Sequence, residues 1–294
     1  MPSGPSAVAV MLLCLQTIGD SVVLSPASVA NMDGAIDSTM DPVGPLYLPD
    51  DDTLGKGTSN APVLAQTQDL TLTTSSGVAL AVRVNTIVLA FSHGFTDRLD
   101  GSLVLPVVQE NVHATVTTGA LSGHTQVSFS GPSDLSLRLK YQLIPGLVAM
   151  LKAIFPTGNP QNGLGIGSYF LTPGLAAGTT LGPVQLNARI AYNVDLSFAN
   201  KSSVNYGGGI AAPVYFPWLG AAVEFLGQSG TGAEDSLILF GVDYAQRHTE
   251  ILAFGLRAVV HPQLMAFVAG SYALTRGGLR DDRVFPTLGF VGTF

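Results

Sequence analysis

The side chains best able to do chemistry in this chain sit on segments with a two-residue period. In Gln185–Leu196, the residues Gln185, Asn187, Arg189, Asn193 and Asp195 fall on one face, opposite Leu186, Ala188, Ile190, Tyr192, Val194 and Leu196. In Ser133–Leu143, Ser136, Arg138, Lys140 and Gln142 oppose Leu135, Leu137, Leu139, Tyr141 and Leu143. Glu224, Asp243 and Arg257 extend the polar set. The candidate lining residues are therefore Arg138, Lys140, Asn187, Arg189, Asn193, Asp195, Glu224, Asp243 and Arg257. On the inner face of a barrel they could line an aqueous path for a small solute. The alternative is a salt-bridged interior that serves stability alone.

No reaction centre is expected. The five histidines (His93, His113, His124, His248 and His261) lie mostly at turns or strand ends. No pair of them has metal-ligand spacing on one strand face. Gly207-Gly208-Gly209 has no lysine after it and no strand–loop–helix context, so it is no phosphate loop. It reads instead as a place where a strand bends or packs closely. The single cysteine, Cys14, rules out an internal disulfide or a cysteine metal cluster. The chain is read as a non-enzyme without cofactor or metal.

These faces need elements to carry them, and composition says which. Only 11% of the 294 residues are charged, against roughly 25% in soluble domains, while 47% are hydrophobic and mean hydropathy is +0.39. A helical membrane protein would show apolar runs of about 20 residues. Ala7–Leu15 is too short for one, and Leu143–Phe155 is broken by Pro145, Gly146 and Lys152. Apolar enrichment without long apolar runs fits a transmembrane barrel, whose strands expose alternate residues to lipid. The 34 glycines and 18 prolines favour short strands and turns. A net charge of −7 with 13 scattered basic residues excludes nucleic acid as a partner.

Turn signals recur along the chain, and the segments between them have the length of tilted bilayer-spanning strands, about 9–11 residues. Strands are expected at 82–93, 100–109, 133–143, 147–155, 165–177, 183–197, 204–215, 218–227, 236–246, 250–260, 263–275 and 284–294. The fold class is thus all-β, a transmembrane antiparallel up-and-down barrel of about 12 strands. A soluble all-β protein would show the same alternation. Phe91, Phe95, Phe155, Tyr169, Phe170, Tyr215, Phe216 and Trp218 gather near strand ends, as interfacial belts or as core aromatics. Pro213 belongs at an edge or bulge. The chain closes on Phe294, with Leu288 and Phe290 on the same face. That is the form of a C-terminal insertion signal, with Gly292 as its weakest position.

Three regions follow. Residues 1–30 read as an export signal, with Ser28-Val29-Ala30 as a cleavage site, although no basic residue precedes the apolar run. A buried apolar segment is the alternative. Residues 31–60 read as a loop-like lead-in with an acidic run at Asp50-Asp51-Asp52. Residues 61–294 are the barrel.

Two stretches carry a further likeness. One is His93-Gly94-Phe95-Thr96-Asp97-Arg98-Leu99-Asp100-Gly101-Ser102-Leu103-Val104-Leu105-Pro106-Val107-Val108. The other is Ser133-Asp134-Leu135-Ser136-Leu137-Arg138-Leu139-Lys140-Tyr141, followed by Ala153-Ile154-Phe155-Pro156-Thr157-Gly158. Together they resemble the family of the MetA pathway of phenol degradation, also labelled transporter, over about Gly55 to Phe294. The resemblance implies a bacterial outer-membrane barrel, inserted by the barrel-assembly machinery, that passes a small hydrophobic or aromatic compound. A scaffold barrel docking a periplasmic or surface protein through 31–60 is the second expectation. From the residues themselves, Thr96, Asp97, Asp100 and Asp134 are expected to bond local backbone.

Overall fold

The computed structural model describes residues 46–49, 51–73, 78–118, 121–162, 164–165, 167–197, 202–215, 218–230, 238–239, 242–243, 248–274 and 284–294. The strands are β1 (Ser59–Thr73), β2 (Val78–Thr96), β3 (Leu99–Thr118), β4 (Leu121–Pro132), β5 (Leu135–Ile144), β6 (Leu147–Phe155), β7 (Phe170–Leu181), β8 (Val184–Asp195), β9 (Ser203–Tyr215), β10 (Leu219–Gly230), β11 (Ile238–Leu239), β12 (Val242–Asp243), β13 (His248–His261), β14 (Leu264–Ala273) and β15 (Val284–Thr293). Among the described residues, a 3-10 turn spans Pro160–Asn162.

Twelve strands close into an antiparallel barrel. β1 pairs with β2 and β15; β3 joins β2 to β5; β5 to β10 follow in order; β10 pairs directly with β13, and β14 and β15 complete the ring. Closure leaves no free edge within the ring, the condition for a sheet in lipid. The seam is tied at its end by Ser59 N–H to Phe294 O, 2.9 Å, and Phe294 N–H to Ser59 O, 3.0 Å. Both chain ends of the barrel lie beside the short turns at 97–98, 145–146, 182–183 and 262–263. The longer connections, such as 156–169, lie at the opposite end.

The outer surface is apolar. Ile87, Leu137, Leu139, Ile190, Ile210, Val223, Phe254, Val268, Leu288 and Phe290 are all exposed there. A water-soluble protein would not leave so continuous an apolar girdle uncovered. Polar alternates on the same strands are buried inside. That pattern makes the ring a membrane-spanning barrel.

The strand count agrees with expectation, but two members differ. Ser59–Thr73 is the first barrel strand, where a lead-in was expected up to residue 60 and no strand before 82. The expected strand at 236–246 is absent from the ring, because β10 and β13 pair without an intervening strand. Of that stretch, 238–239 and 242–243 form a two-stranded sheet apart from the barrel, and residues 236–237, 240–241 and 244–246 lie outside the described residues. β4 is an additional strand. It pairs with the far half of β3 and runs on through Ser133 and Asp134 into β5, so β1 to β4 project beyond the ring at the loop end. Pro213 does sit at an irregularity: the β9–β10 register shifts between Leu219 and Gly220, which pair with Tyr215 and Pro213. Residues 1–30, expected to be an export signal, lie outside the described residues.

Candidate functional site: a charged interior occupied by the lead-in

The interior has two unlike walls. Leu64, Val88, Val104, Ala211, Ala222, Ala253, Met265, Phe267 and Val291 form one apolar cluster, to which Leu46, Tyr47 and Leu48 of the lead-in belong. These three lead-in residues are buried almost completely. Their backbone N–H groups all donate to the carboxylate of Glu224 on β10: Leu46 to Oε1, Tyr47 to Oε2 at 2.8 Å and Leu48 to Oε2 at 3.1 Å. One side chain thereby satisfies three backbone donors that have no sheet partner, which a buried segment requires. Tyr47 reaches across to Thr287 Oγ1 at 3.0 Å. Burial pushes its hydroxyl up to about 12, so it stays neutral.

Glycines on the wall leave the space that the segment fills. A Cβ built on Gly207 would lie 2.8 Å from Leu48 Cδ2, and one on Gly209 would lie 2.8 Å from Glu224 Cγ. Gly207 and Gly209 thus provide the close approach expected of the triple glycine, and the residue that approaches is Leu48. The lead-in then runs toward the turn end. Asp51 Oδ1 accepts from Gln185 Nε2 (3.2 Å), Asp52 Oδ1 from Gln142 Nε2 (2.7 Å), and Asp100 Oδ2 from Leu54 N–H (2.9 Å). Thr53 Oγ1 donates to the carbonyl of Asp97 at 2.9 Å.

The second wall, on β5 to β8, is polar. A rung of side chains passes round the ring and through this wall, from β15 and β1 to β3, across β5 to β8, and on to β9 and β10, climbing from the turn end to the loop end. It begins with Thr293 Oγ1 donating to Asn60 Oδ1 at 2.8 Å, and Asn60 stands opposite Ser92. Ser92 Oγ donates to Ser102 Oγ at 2.8 Å, and Arg138 Nη2 donates to the same Ser102 Oγ at 3.1 Å. Arg138 stands directly opposite Lys152, and Lys152 opposite Thr172. Thr172 Oγ1 donates to Asn193 Oδ1 (2.6 Å), Asn193 Nδ2 to Ser203 Oγ (3.2 Å), and Gln228 Nε2 to the same Ser203 Oγ (3.1 Å). Beside this rung, Lys140 Nζ lies 3.7 Å from Asp100 Oδ2.

The structure therefore gathers most of the expected lining set. Arg138, Lys140, Asn187, Asp195, Glu224 and Arg257 are buried inside the ring, and Arg189 and Asn193 are half-buried on the same face. Arg257 faces Gly220 across the β10–β13 ladder, two inward positions from Glu224's partner Ala253. Asp243 is the exception. It belongs to β12, which pairs with β11 in a two-stranded sheet separate from the barrel sheet. Ser102, Lys152, Thr172 and Asp100 were not anticipated. Lys152 was hidden because its strand, LVAMLKAIF, is apolar on both faces. Asp100 was read as a turn residue.

The matched motifs also act over longer range than expected. Asp134 Oδ1 accepts from Gly158 N–H at 2.9 Å, and Thr157 Oγ1 accepts from Leu135 N–H at 2.9 Å while donating to Ser133 O at 3.2 Å. The two halves of that motif thus clamp each other where β4 passes into β5. Asp97 Oδ1 accepts from Lys56 N–H at 3.4 Å, in the lead-in, and Asp100 also serves the lead-in. Thr96 Oγ1 keeps the expected local contact, accepting from Arg98 N–H at 3.2 Å. Leu288, Phe290 and Phe294 all lie exposed on the outer face.

No family model matches the chain, and no curated relative matches it. Among solved structures, the COG4313 outer membrane channel from Pseudomonas putida F1 is similar with a TM-score of 0.62, at 18% identity over 83% of this chain and 98% of that one. The NanC porin has a TM-score of 0.47 at 13% identity, over 79% of this chain and 98% of that one. A TodX monoaromatic hydrocarbon channel variant has 0.48 at 12% identity, over 82% and 90%. The fold is thus that of an outer-membrane channel barrel.

Proposed function

We propose that this protein is a bacterial outer-membrane channel for small solutes, kept narrow by its own residues 46–49 and 51–56. The observation that carries this reading is the interior. A barrel needed only as a lipid-embedded scaffold could fill its core with packed apolar side chains. This one instead spends a whole wall on buried charges and a row of polar side chains, hydrogen-bonded over parts of its length, that runs from the turn end to the loop end beside a lead-in held through side chains and backbone bonds. Arg138, Lys140, Asn187, Arg189, Asn193, Asp195, Glu224 and Arg257 are the residues expected to line the solute path. The resemblance to the phenol-degradation transporter family supports the same reading, since its two motifs form the clamp and the lead-in contacts. Leu288, Phe290 and Phe294 are the groups the assembly machinery would read.

The test is conductance of the purified full-length chain in planar bilayers, alongside Glu224→Ala. Discrete current steps are expected, longer-lived in the variant because the lead-in loses its anchor. Silence from both proteins, despite heat-modifiable gel mobility, would sink the channel reading.

A further inference from the structure

On the far half of β3, beyond the ring, a buried carboxylate has no partner among the described residues. Glu110 faces inward at 6% exposure, directly opposite Val84 on β2 and Phe129 on β4. No hydrogen bond or ion pair from those residues reaches its carboxyl, and burial alone pushes it up to about 7. Val84 and Val112 beside it are buried too. This level stands above the lipid. On these strands the outer apolar girdle ends at Ile87 and Val107. Beyond them the outer face is polar, with Asn85 Nδ2 donating to Gln109 Oε1 at 3.5 Å and Ser128 Oγ to Asn111 Oδ1 at 2.9 Å.

A second acceptor lies nearby. Gln66 on β1 is 5% exposed, and its Oε1 is buried without a hydrogen-bond partner. Gln66 stands directly opposite Thr86, which opposes Val108 and so lies one diagonal step from Glu110. Direct pairs set their Cβ atoms about 4.5–5.5 Å apart and diagonal ones about 7–8 Å, so one small molecule can reach both acceptors. A buried acceptor without a donor costs stability. A wall selected for stability alone would carry apolar residues at both positions.

We infer that Glu110, Gln66 and Phe129 form a subsite for the ammonium head of a small primary amine with an apolar body. The inference deepens the channel reading by naming a solute class, and rests on it for the passage of that solute. An ammonium group brings three donors and a positive charge. The carboxylate offsets the charge and accepts one donor, and the Gln66 carbonyl accepts another. The face of the Phe129 ring attracts a cation. Leu64, Val88 and Val104 of the apolar cluster, with Val84 and Val112, offer the body its surface. Thr287, opposite Gln66 on its other side, holds the Tyr47 hydroxyl at 3.0 Å. The subsite therefore borders the lead-in, and a solute arriving from the loop end meets it first.

The experiment reads binding by ligand-observed NMR on the full-length barrel folded in detergent, with benzylammonium as the probe. The pH is held above about 7, so that Glu110 is ionised. The wild type should bind, Glu110→Gln should weaken binding roughly tenfold and Gln66→Leu about threefold. Glu110→Asp keeps the charge and should lose less than Glu110→Gln. Neither benzyl alcohol nor benzoate should compete. Glu110→Gln should leave the urea midpoint in vesicles undiminished; a drop there would assign the side chain to stability and overturn the subsite. Equal binding by wild type and Glu110→Gln, or competition by benzyl alcohol, also overturns it and leaves the channel reading standing. In planar bilayers, benzylammonium should interrupt the wild-type current and not that of Glu110→Gln. Binding that Glu110→Gln weakens as expected, with wild type and Glu224→Ala both silent, overturns the channel reading and keeps the subsite.

Discussion

Glu224 concentrates more of the interior's order than any other single side chain described. At 1% exposure it accepts three backbone N–H groups from the lead-in. Hydrogen bonds to a charged acceptor contribute about 1.5–3 kcal/mol each, and the losses are not additive because the freed donors can share water. Glu224→Ala should therefore release Leu46–Leu48, seen as faster protease nicking within 46–56 with the barrel still heat-modifiable. Asp52 gives the same segment a pH response. Burial, then repulsion from Asp51, push its carboxyl up, outweighing Lys140 and the Gln142 contact. An acid whose pKa is raised on docking holds its proton more readily docked than free. Docking is then strongest below its ordinary range, near 3.8, and weakens as pH rises through the raised value. Nicking should increase from acid toward neutral pH, and Asp52→Asn should flatten that part of the profile. Much of this residue-level picture was legible beforehand. Arg138, Lys140, Asn187 and Asp195 announced themselves because a lipid-facing strand tolerates charge on one face only. The Glu224 contact was not legible, since its partners are backbone groups some 177 positions away that any residue types could supply.

At the level of elements, the alternation that made strands readable also explains the misses. β1 reads Ser-Asn-Ala-Pro-Val-Leu-Ala-Gln; its inward row of Asn60, Pro62, Leu64 and Gln66 mixes apolar with polar, and its outward Ala61, Val63 and Ala65 are small, so the inside–outside signal is weak. The false strand at 236–246 is an apolar run with good alternation that the β10–β13 pairing leaves out of the ring. No local pattern distinguishes it, because ring membership is set by the partner strand. β6 was placed at its observed limits, 147–155, since Gly146 has positive φ of 77° and starts the strand sharply. Two predictions belong here. Val223, 46% exposed in the outward row between Ile210 and Phe254, faces lipid. Val223→Arg should cost about 2–4 kcal/mol if the site lies at mid-bilayer, read from urea titrations of the barrel refolded in vesicles. Thr157→Val removes both clamp bonds at the β4–β5 passage while keeping shape. It should cost about 1–3 kcal/mol in the same assay, with loop 156–168 becoming susceptible to protease.

The whole molecule is a ring that must be closed in a membrane, and its last residue lies at the seam. Phe294 contributes in two separable ways. Its backbone makes the terminal pair of ladder bonds with Ser59, at 2.9 and 3.0 Å. Its ring is 67% exposed on the outer face, 6.3 Å from Phe91 and in the row of Leu288 and Phe290. Phe294→Ala removes the ring and keeps the ladder. In the finished barrel that ring already faces outward, so the loss of packing is small. On the way there, an unpaired β15 segment presents Leu288, Phe290 and Phe294 on one face of an extended chain, the arrangement that the proposed insertion signal requires. Phe294→Ala should therefore slow the appearance of the heat-modifiable form in cells several-fold, while shifting the urea midpoint of barrel already folded in vesicles only slightly. Gly292 breaks the same outer face between Phe290 and Phe294, so Gly292→Leu should move assembly in the opposite direction. A Phe294→Ala protein that assembles at the normal rate but unfolds at lower urea would make the ring a packing residue of the seam and not a signal.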